Sequence, residues 1–392
     1  MTRQARIAVI GAGIGGLAAA GALRERGFEV DVYERAGELG EVGAGLQLGP
    51  NAVKVLRALG IEERLLPLAC EPTNIVSVAA DDAHLRFREP LKAVIAAQFG
   101  APYLTAHRAD LHTLLQAKVP AARIHLDAQC TGAASIGGAA VASFADGRQI
   151  EADLVVGADG INSAVRESLF GAQAARYTQQ MAWRCIVPIH CVPTRIGPGQ
   201  SVATGRDEYV GWIGPDGHVI CYPIRGGELY NIFAGHVSEQ WVEESWVVPS
   251  SRDELLAGFR GWNDALLDML AHVEHCYKWG IRDRDPLARW VSGRVTLLGD
   301  AAHPMMPTLA QGAAITLEDA YALARQLARH DDPVAGLSAY EAERRPRASK
   351  VQLQAREQFE NNRKTPAPPP LSRDWIFAHD ATRETMAATV AG

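Results

Sequence analysis

Three sets of side chains in this 392-residue sequence have the types and spacing for chemistry. Gly11-Ala-Gly-Ile-Gly-Gly16 sets Gly11, Gly13 and Gly16 in the G-x-G-x-x-G spacing that lets a backbone close on a pyrophosphate, with Ile14 and Gly15 inside it. Glu34, 23 positions after Gly11, is an acid at the separation that suits a ribose hydroxyl. Asp159 and Asp300 follow short apolar runs, in Asp153-Leu-Val-Val-Gly-Ala-Asp-Gly160 and Arg294-Val-Thr-Leu-Leu-Gly-Asp-Ala-Ala-His303. His218-Val-Ile-Cys-Tyr-Pro-Ile224 puts an imidazole and a phenol four residues apart. The imidazole, with an unperturbed pKa of about 6.5 against about 10 for the phenol, is the better base near neutrality.

The elements that must hold these groups follow from the apolar pattern. Arg6-Ile-Ala-Val-Ile10 lacks polar alternation, as expected of a strand buried on both faces of a parallel sheet. The glycine turn and a helix over 17–26 come next, stopped by Gly27, and then a strand over 28–34 that ends in Glu34. Strand, G-x-G-x-x-G, helix, strand and acid in this order form a dinucleotide fingerprint, with helix N–H groups facing the phosphates. The nucleotide at this stage is NAD or FAD. Asp159 and Asp300 then stand at carboxyl ends of further strands, where open α/β sheets bind ligands, although turn formation or helix capping would also use them. In the strand around residue 220, His218, Ile220 and Tyr222 share one face, and Val219 and Cys221 the other. His218 and Tyr222 are then about 13 Å apart along the backbone, too far to pair directly but placed to flank one ring over Ile220.

Composition excludes several classes. The 45 acidic residues outnumber the 39 Lys and Arg, and the net charge is −6 without a basic tract, so no nucleic-acid partner is expected. The six cysteines are scattered with no C-x-x-C pair, which fits a reducing, cytoplasmic setting rather than a disulfide frame or a zinc site. Arg3 and Arg6 before the apolar stretch 7–23 mimic a signal peptide, but five glycines interrupt it and no A-x-A cleavage site follows. No run approaches the roughly 18 apolar residues of a spanning helix, so no membrane is expected. His272, Glu274, His275 and Cys276 lack metal-ligand spacing and read as a solvated helix end.

The three spaced motifs, Gly11 to Gly16, Gly157-Ala-Asp-Gly160 and Gly299-Asp-Ala-Ala-His-Pro304, resemble those of the FAD-dependent aromatic hydroxylases of the para-hydroxybenzoate hydroxylase group, the class A flavoprotein monooxygenases. The resemblance spans most of the chain and settles on FAD, with NADH or NADPH as transient co-substrate, in keeping with the lack of a second G-x-G-x-x-G. It implies that Glu34 binds the adenosine ribose, Arg108 lies along the flavin and pyrophosphate, Asp159 serves FAD and NAD(P)H binding, and Asp300 bonds the ribityl chain. Gly312 and Ala313 would offer backbone N–H groups to the isoalloxazine, and Ile14, Gly15, Arg35, Gly45 and Leu46 complete the implied cofactor contacts. His303 reads as structural or flavin-side rather than as a base.

The implied fold is α/β: a Rossmann-like FAD-binding domain of the GR2 type over 1–72, 100–176 and 278–345, an inserted β-sheet substrate domain over 73–99 and 177–277, and a C-terminal helical tail over 346–392. The region 338–362 has strong helix propensity with an exposed charged face, and Pro366-Ala-Pro-Pro-Pro370 ends it. The rest, with Trp375-Ile-Phe377, is expected to pack on the body or on a second copy, a homodimer.

The His-x-x-x-Tyr spacing resembles the catalytic pair of the salicylate and 3-hydroxybenzoate hydroxylase branch, with His218 as phenol base and a flavin C4a-hydroperoxide as oxygen donor from O2. Pro307 stands where the 3-hydroxybenzoate 6-hydroxylase pattern has Gln, and Gln47 where 6-hydroxynicotinate 3-monooxygenase has His. The expectation is therefore a salicylate-like phenolic acid, with 3-hydroxybenzoate or 6-hydroxynicotinate as alternatives. A flavin halogenase is disfavoured because Trp183-Arg-Cys-Ile-Val-Pro188 lacks a second Trp. A reductase on this scaffold and a non-turnover flavin sensor are the other rivals.

Overall fold

The computed structural model describes residues 5–40, 44–239, 248–364 and 368–383. Part of the expected proline stop, residues 366 and 367, lies outside the described residues. A six-stranded sheet carries the nucleotide fingerprint, with Arg6–Ile10 paired in parallel between Leu154–Gly157 and Glu29–Tyr33. Val295–Leu297 adds in parallel beside Leu154–Gly157, so the three strands preceding the glycine turn, Asp159 and Asp300 are neighbours. Their buried aliphatic side chains meet helices Ile14–Glu25 and Gly312–Arg329 in one core. This places the ends of three distant sequence motifs along one sheet edge.

An eight-stranded sheet forms the second layer. Asn74–Ala79 joins it in parallel beside Tyr209–Ile213, followed by Gly217–Ile224, Leu229–Val237, Arg176–Pro188 and Cys276–Asp283 in antiparallel pairing. Its two faces differ. Val219 and Cys221 face a dry core with Trp183, Ile232 and Val210, closed by helices Arg252–Gly258 and Asp264–Leu270. The opposite face, with Phe233, Trp279 and Ala182, packs toward the core of the FAD-side layer.

Strand Cys276–Asp283 contains position 278, the expected start of the third FAD segment, because its pairing with Arg176–Pro188 holds it in the large sheet to its last residue. Helix Pro333–Asn362 likewise runs through the expected boundary at 345 and 346. Its charged face is only partly exposed: Arg344 is fully buried and Arg356 pairs with Asp283 at 2.6 Å. The segment beyond it packs on the body through Ile376 and Phe377. No helix among the described residues is long and apolar enough to cross a membrane.

Candidate active site

The glycine turn has the shape of a cradle. Gly11 has φ +102°, a left-handed conformation that side-chain-bearing residues avoid, and a Cβ there would meet the Ala158 carbonyl at 2.4 Å. A Cβ on Gly16 would lie 1.9 Å from the Gly11 carbonyl oxygen, so helix and strand touch through bare backbone. At Gly13, by contrast, nothing lies within 4 Å of the Cβ position, and helix Ile14–Glu25 starts there without a side-chain cap. Open space and uncapped N–H groups at one helix start are what a pyrophosphate needs.

Glu34 ties this turn together, accepting hydrogen bonds from the Ala12 amide at 2.7 Å and the Ala36 amide at 3.0 Å. Arg35 beside it is exposed. Asp159 accepts from the Ser163 hydroxyl at 2.5 Å and the Val165 amide at 3.1 Å, so part of its carboxylate organises helix Ala164–Phe170. Burial still leaves its pKa above the usual aspartate range. Asp300 is half-buried in the turn after Val295–Leu297, and Gly312 and Ala313 open helix Gly312–Arg329 without a side-chain cap. Arg108, at the start of helix Arg108–Gln116, binds the Ala44 carbonyl through its amide at 2.9 Å. Gly45 and Leu46 occupy strand Gly45–Leu48, which meets the large sheet where the Gly45 amide donates to Asn231 Oδ1 at 2.6 Å.

The sheet face turned toward this rim carries His218 and Tyr222. His218 stacks on Phe233 with ring centroids 5.5 Å apart, and Tyr222 stacks on Tyr209 at 6.0 Å. The two rings lean on different neighbours, so they stand at opposite ends of the face. Phe233 meets Trp279 edge-on at 5.6 Å, and the Arg184 guanidinium lies 4.2 Å from the Trp279 ring centroid. Tyr103 donates to Gln47 Oε1. Enclosure holds Tyr103, Tyr209 and Tyr222 protonated, above the ordinary phenol range. The same enclosure lowers His218 to about 4, so the imidazole is neutral at pH 7 and open to a proton. This departs from the near-neutral value expected of a free imidazole.

His303 points the other way. It is buried, bonded to Asp319 at 2.5 Å and packed 5.2 Å from the Trp290 ring, so its role is structural. Arg344 joins that group, pairing with Asp319 at 2.8 Å and Glu318 at 2.7 Å. Glu318 also accepts from Asn51 at 2.7 Å, and Asn51 donates to Gln311 at 3.0 Å, which links the network to the residue before Gly312. His272, Glu274 and His275 are exposed beyond helix Asp264–Leu270, and no metal-holding cluster occurs among the described residues.

Residues 4–355 match the FAD binding domain family. The chain belongs to that family of flavoproteins. It is 37% identical over 392 residues to 6-hydroxynicotinate 3-monooxygenase of Bordetella bronchiseptica, covering 98% of each chain. It is 36% identical to 3-hydroxybenzoate 6-hydroxylase 1 of Aquipseudomonas alcaligenes, covering 89% of this chain and 87% of the relative. Among solved structures, a salicylate hydroxylase substrate complex superposes with a TM-score of 0.79 at 29% identity, covering 97% of both chains. This flavoprotein is thus an FAD-dependent aromatic monooxygenase, and the open cradle at Gly13 fits the cofactor.

Sequence reasoning missed Tyr103, Tyr209, Phe233 and Arg184 as parts of the face, and gave Gln47 only a comparative role. Phe233 and Tyr209 reach the His218 and Tyr222 face only through the pairing of distant strands and ring stacking. Tyr103 precedes the short strand Leu104–His107 and has no periodic signal of its own.

Proposed function

We propose that the enzyme hydroxylates a small phenolic acid, with NADH or NADPH and O2 as co-substrates and His218 as the base that takes the phenolic proton. The observation supporting this reading is His218 stacked on Phe233, on the aromatic sheet face that packs toward the core of the FAD-side layer. Bound FAD supplies the activation of O2 for transfer to the ring. Gly11, Gly13, Gly16, Glu34, Asp159, Asp300, Gly312 and Ala313 would hold it, together with Arg108, Gly45 and Leu46. The neutral His218 Nδ1 or Nε2 accepts the proton, which makes the ring a phenolate and more reactive to an electrophilic oxygen. Tyr222 orients the ring, and the enclosed face keeps water away from the reacting atoms.

The relatives named for 6-hydroxynicotinate and 3-hydroxybenzoate act on acids whose hydroxyl is para or meta to the carboxyl group. The likeness to salicylate hydroxylase, whose named substrate has the two groups adjacent, is weaker at 29% identity. Meta or para hydroxy acids therefore come ahead of the salicylate-like ring expected from the sequence.

The test is oxidation of NADH and NADPH by the FAD-loaded protein with salicylate, 3- and 4-hydroxybenzoate and 6-hydroxynicotinate, with product and peroxide quantified together. One ring that stimulates oxidation and returns hydroxylated product establishes the reading. Oxidation unaffected by every ring refutes it.

A further inference from the structure

We propose that Arg373, delivered by the C-terminal segment, binds the carboxylate of the aromatic substrate and thereby selects acids whose hydroxyl is meta or para to it. This rests on the phenolic-acid reading above. The Arg373 guanidinium lies 5.9 Å from the Tyr103 ring centroid and 5.1 Å from that of Phe377. Tyr103 donates a hydrogen bond to Gln47, on the strand whose Gly45 abuts the Tyr222 ring, a Cβ there lying 2.7 Å from it. The cation therefore joins the Tyr222 end of the substrate face, and its field also reaches Tyr209.

Among the described residues no carboxylate forms an ion pair with Arg373, although acidic partners hold Arg325, Arg344, Arg347 and Arg356 on neighbouring helices. A guanidinium has five donors in a planar fork, which suits a carboxylate in the bidentate arrangement. The Tyr103 and Phe377 rings beside it supply a low-dielectric setting in which such a contact is strong.

The segment carrying Arg373 is fixed in place by cations that end on its backbone. Lys54 Nζ bonds the carbonyls of Phe377, Ala378 and His379 at 3.0, 3.3 and 3.2 Å. Arg347 holds the Ile376 carbonyl at 3.1 Å, and Arg325 holds those of Ala381 and Arg383, the first at 2.5 Å and the second at 3.0 Å. Trp375 donates to Gln354 at 2.8 Å, and Phe377 fills the space beside Gly49, where a Cβ would strike its ring at 2.7 Å. A short turn held at this many points is a rigid mount for one side chain, as a positioning contact requires.

The substituent pattern follows from the two ends of the face. His218 leans on Phe233, and Tyr222 with Tyr209 stands four residues along the same strand, about 13 Å away at the backbone. A single ring reaching from His218 to Arg373 must carry its hydroxyl and carboxylate apart, as meta and para acids do. Adjacent groups, as on salicylate, would meet one end only.

The test compares the FAD-loaded wild type with Arg373→Met, Arg373→Lys and Arg184→Met. For the hydroxy acids above and the methyl ester of the best one, it measures KM, kcat, FAD content and melting temperature. Arg373→Met is expected to raise KM for the acid at least about tenfold while leaving kcat within about threefold, with the ester's KM unchanged and Lys restoring part of the loss. Acid and ester weakened alike, or an unaltered acid KM, would overturn the assignment while leaving the hydroxylase reading intact. Acid-selective loss in Arg184→Met alone would move the anchor to Arg184, and salicylate as the best substrate would overturn the meta or para selection. Should Arg373→Met fail to retain FAD, the acid-to-ester KM ratio of wild type against Arg373→Lys decides the same question. A wild type that hydroxylates none of the acids defeats both readings together.

Discussion

Replacing His218 with Asn tests the base and its electrostatics in one experiment. Removing a general base costs typically about 10² to 10⁴ in rate, or roughly 3 to 5 kcal/mol of barrier. The pH profile is more discriminating. With the imidazole at about 4, roughly 97% of it is neutral at pH 5.5, whereas an unperturbed imidazole near 6.5 would be only about 9% neutral there. The wild type is therefore expected to keep nearly all of its kcat/KM at pH 5.5, about tenfold more than an unperturbed histidine would allow. Protonation inactivates the base, so activity falls as the pH drops through about 4. The assay is kcat/KM for the best ring between pH 4 and 8, scored by hydroxylated product, because that parameter reports the free enzyme. Any acid limb left in His218→Asn belongs to the substrate carboxyl group. A wild-type limb centred near 6.5, or a His218→Asn variant with unchanged turnover, would refute the reasoning.

Arg344→Met leaves Glu318 and Asp319 buried without their shared cation and should cost about 3 to 5 kcal/mol, a fall in melting temperature of roughly 4 to 6 °C by scanning calorimetry. Burial raises the Glu318 pKa, but Arg344 and Arg347 outweigh it and hold the group well below the usual range. The stability this gives is present above the unfolded value of about 4.3 and is lost as the pH falls further, so acid should melt the wild type earlier. Gly16→Ala drives a methyl group to 1.9 Å from the Gly11 oxygen, and the purified variant should carry less than about a tenth of the wild-type FAD by absorbance. Tyr222→Phe keeps the stack on Tyr209 and removes one hydroxyl from the proposed ring-orienting face, so KM should rise by about threefold to tenfold with FAD content unchanged.

The nucleotide cradle was legible in the sequence because its demands are local: only glycine tolerates the Gly11 conformation, and the spacing to Gly16 and Glu34 fits one strand-turn-helix unit. The shared face of His218 and Tyr222 was legible for the same reason, since alternation is intrinsic to a strand. Their surroundings were not, because strand order brings Phe233 beside Ile220 and Tyr209 beside Tyr222 through pairings no local pattern encodes. The depressed imidazole pKa belongs to that enclosure rather than to the residue type. Helix 333–362 also looked more solvated than it is, because Arg344 and Arg347 read as surface charge until Glu318 and Asp319 are placed opposite them. Arg373 lies furthest from such reasoning, since only tertiary contacts bring it to Tyr103.

The large sheet has a practical consequence for engineering. In strand Gly217–Ile224, residues 219 and 221 point into the dry helix-covered core, while 218, 220 and 222 point toward the cofactor side. The same alternation continues across Leu229–Val237, where 231, 233 and 235 pair with 222, 220 and 218. Saturation libraries confined to Ile220, Tyr222 and Phe233 would sample ring shape and polarity while keeping His218, Asn231, which holds the Gly45 amide, and Gly235, where a Cβ would lie 2.9 Å from the His218 ring. Randomising whole strands would instead spend most clones on variants lost to misfolding before their selectivity is ever read.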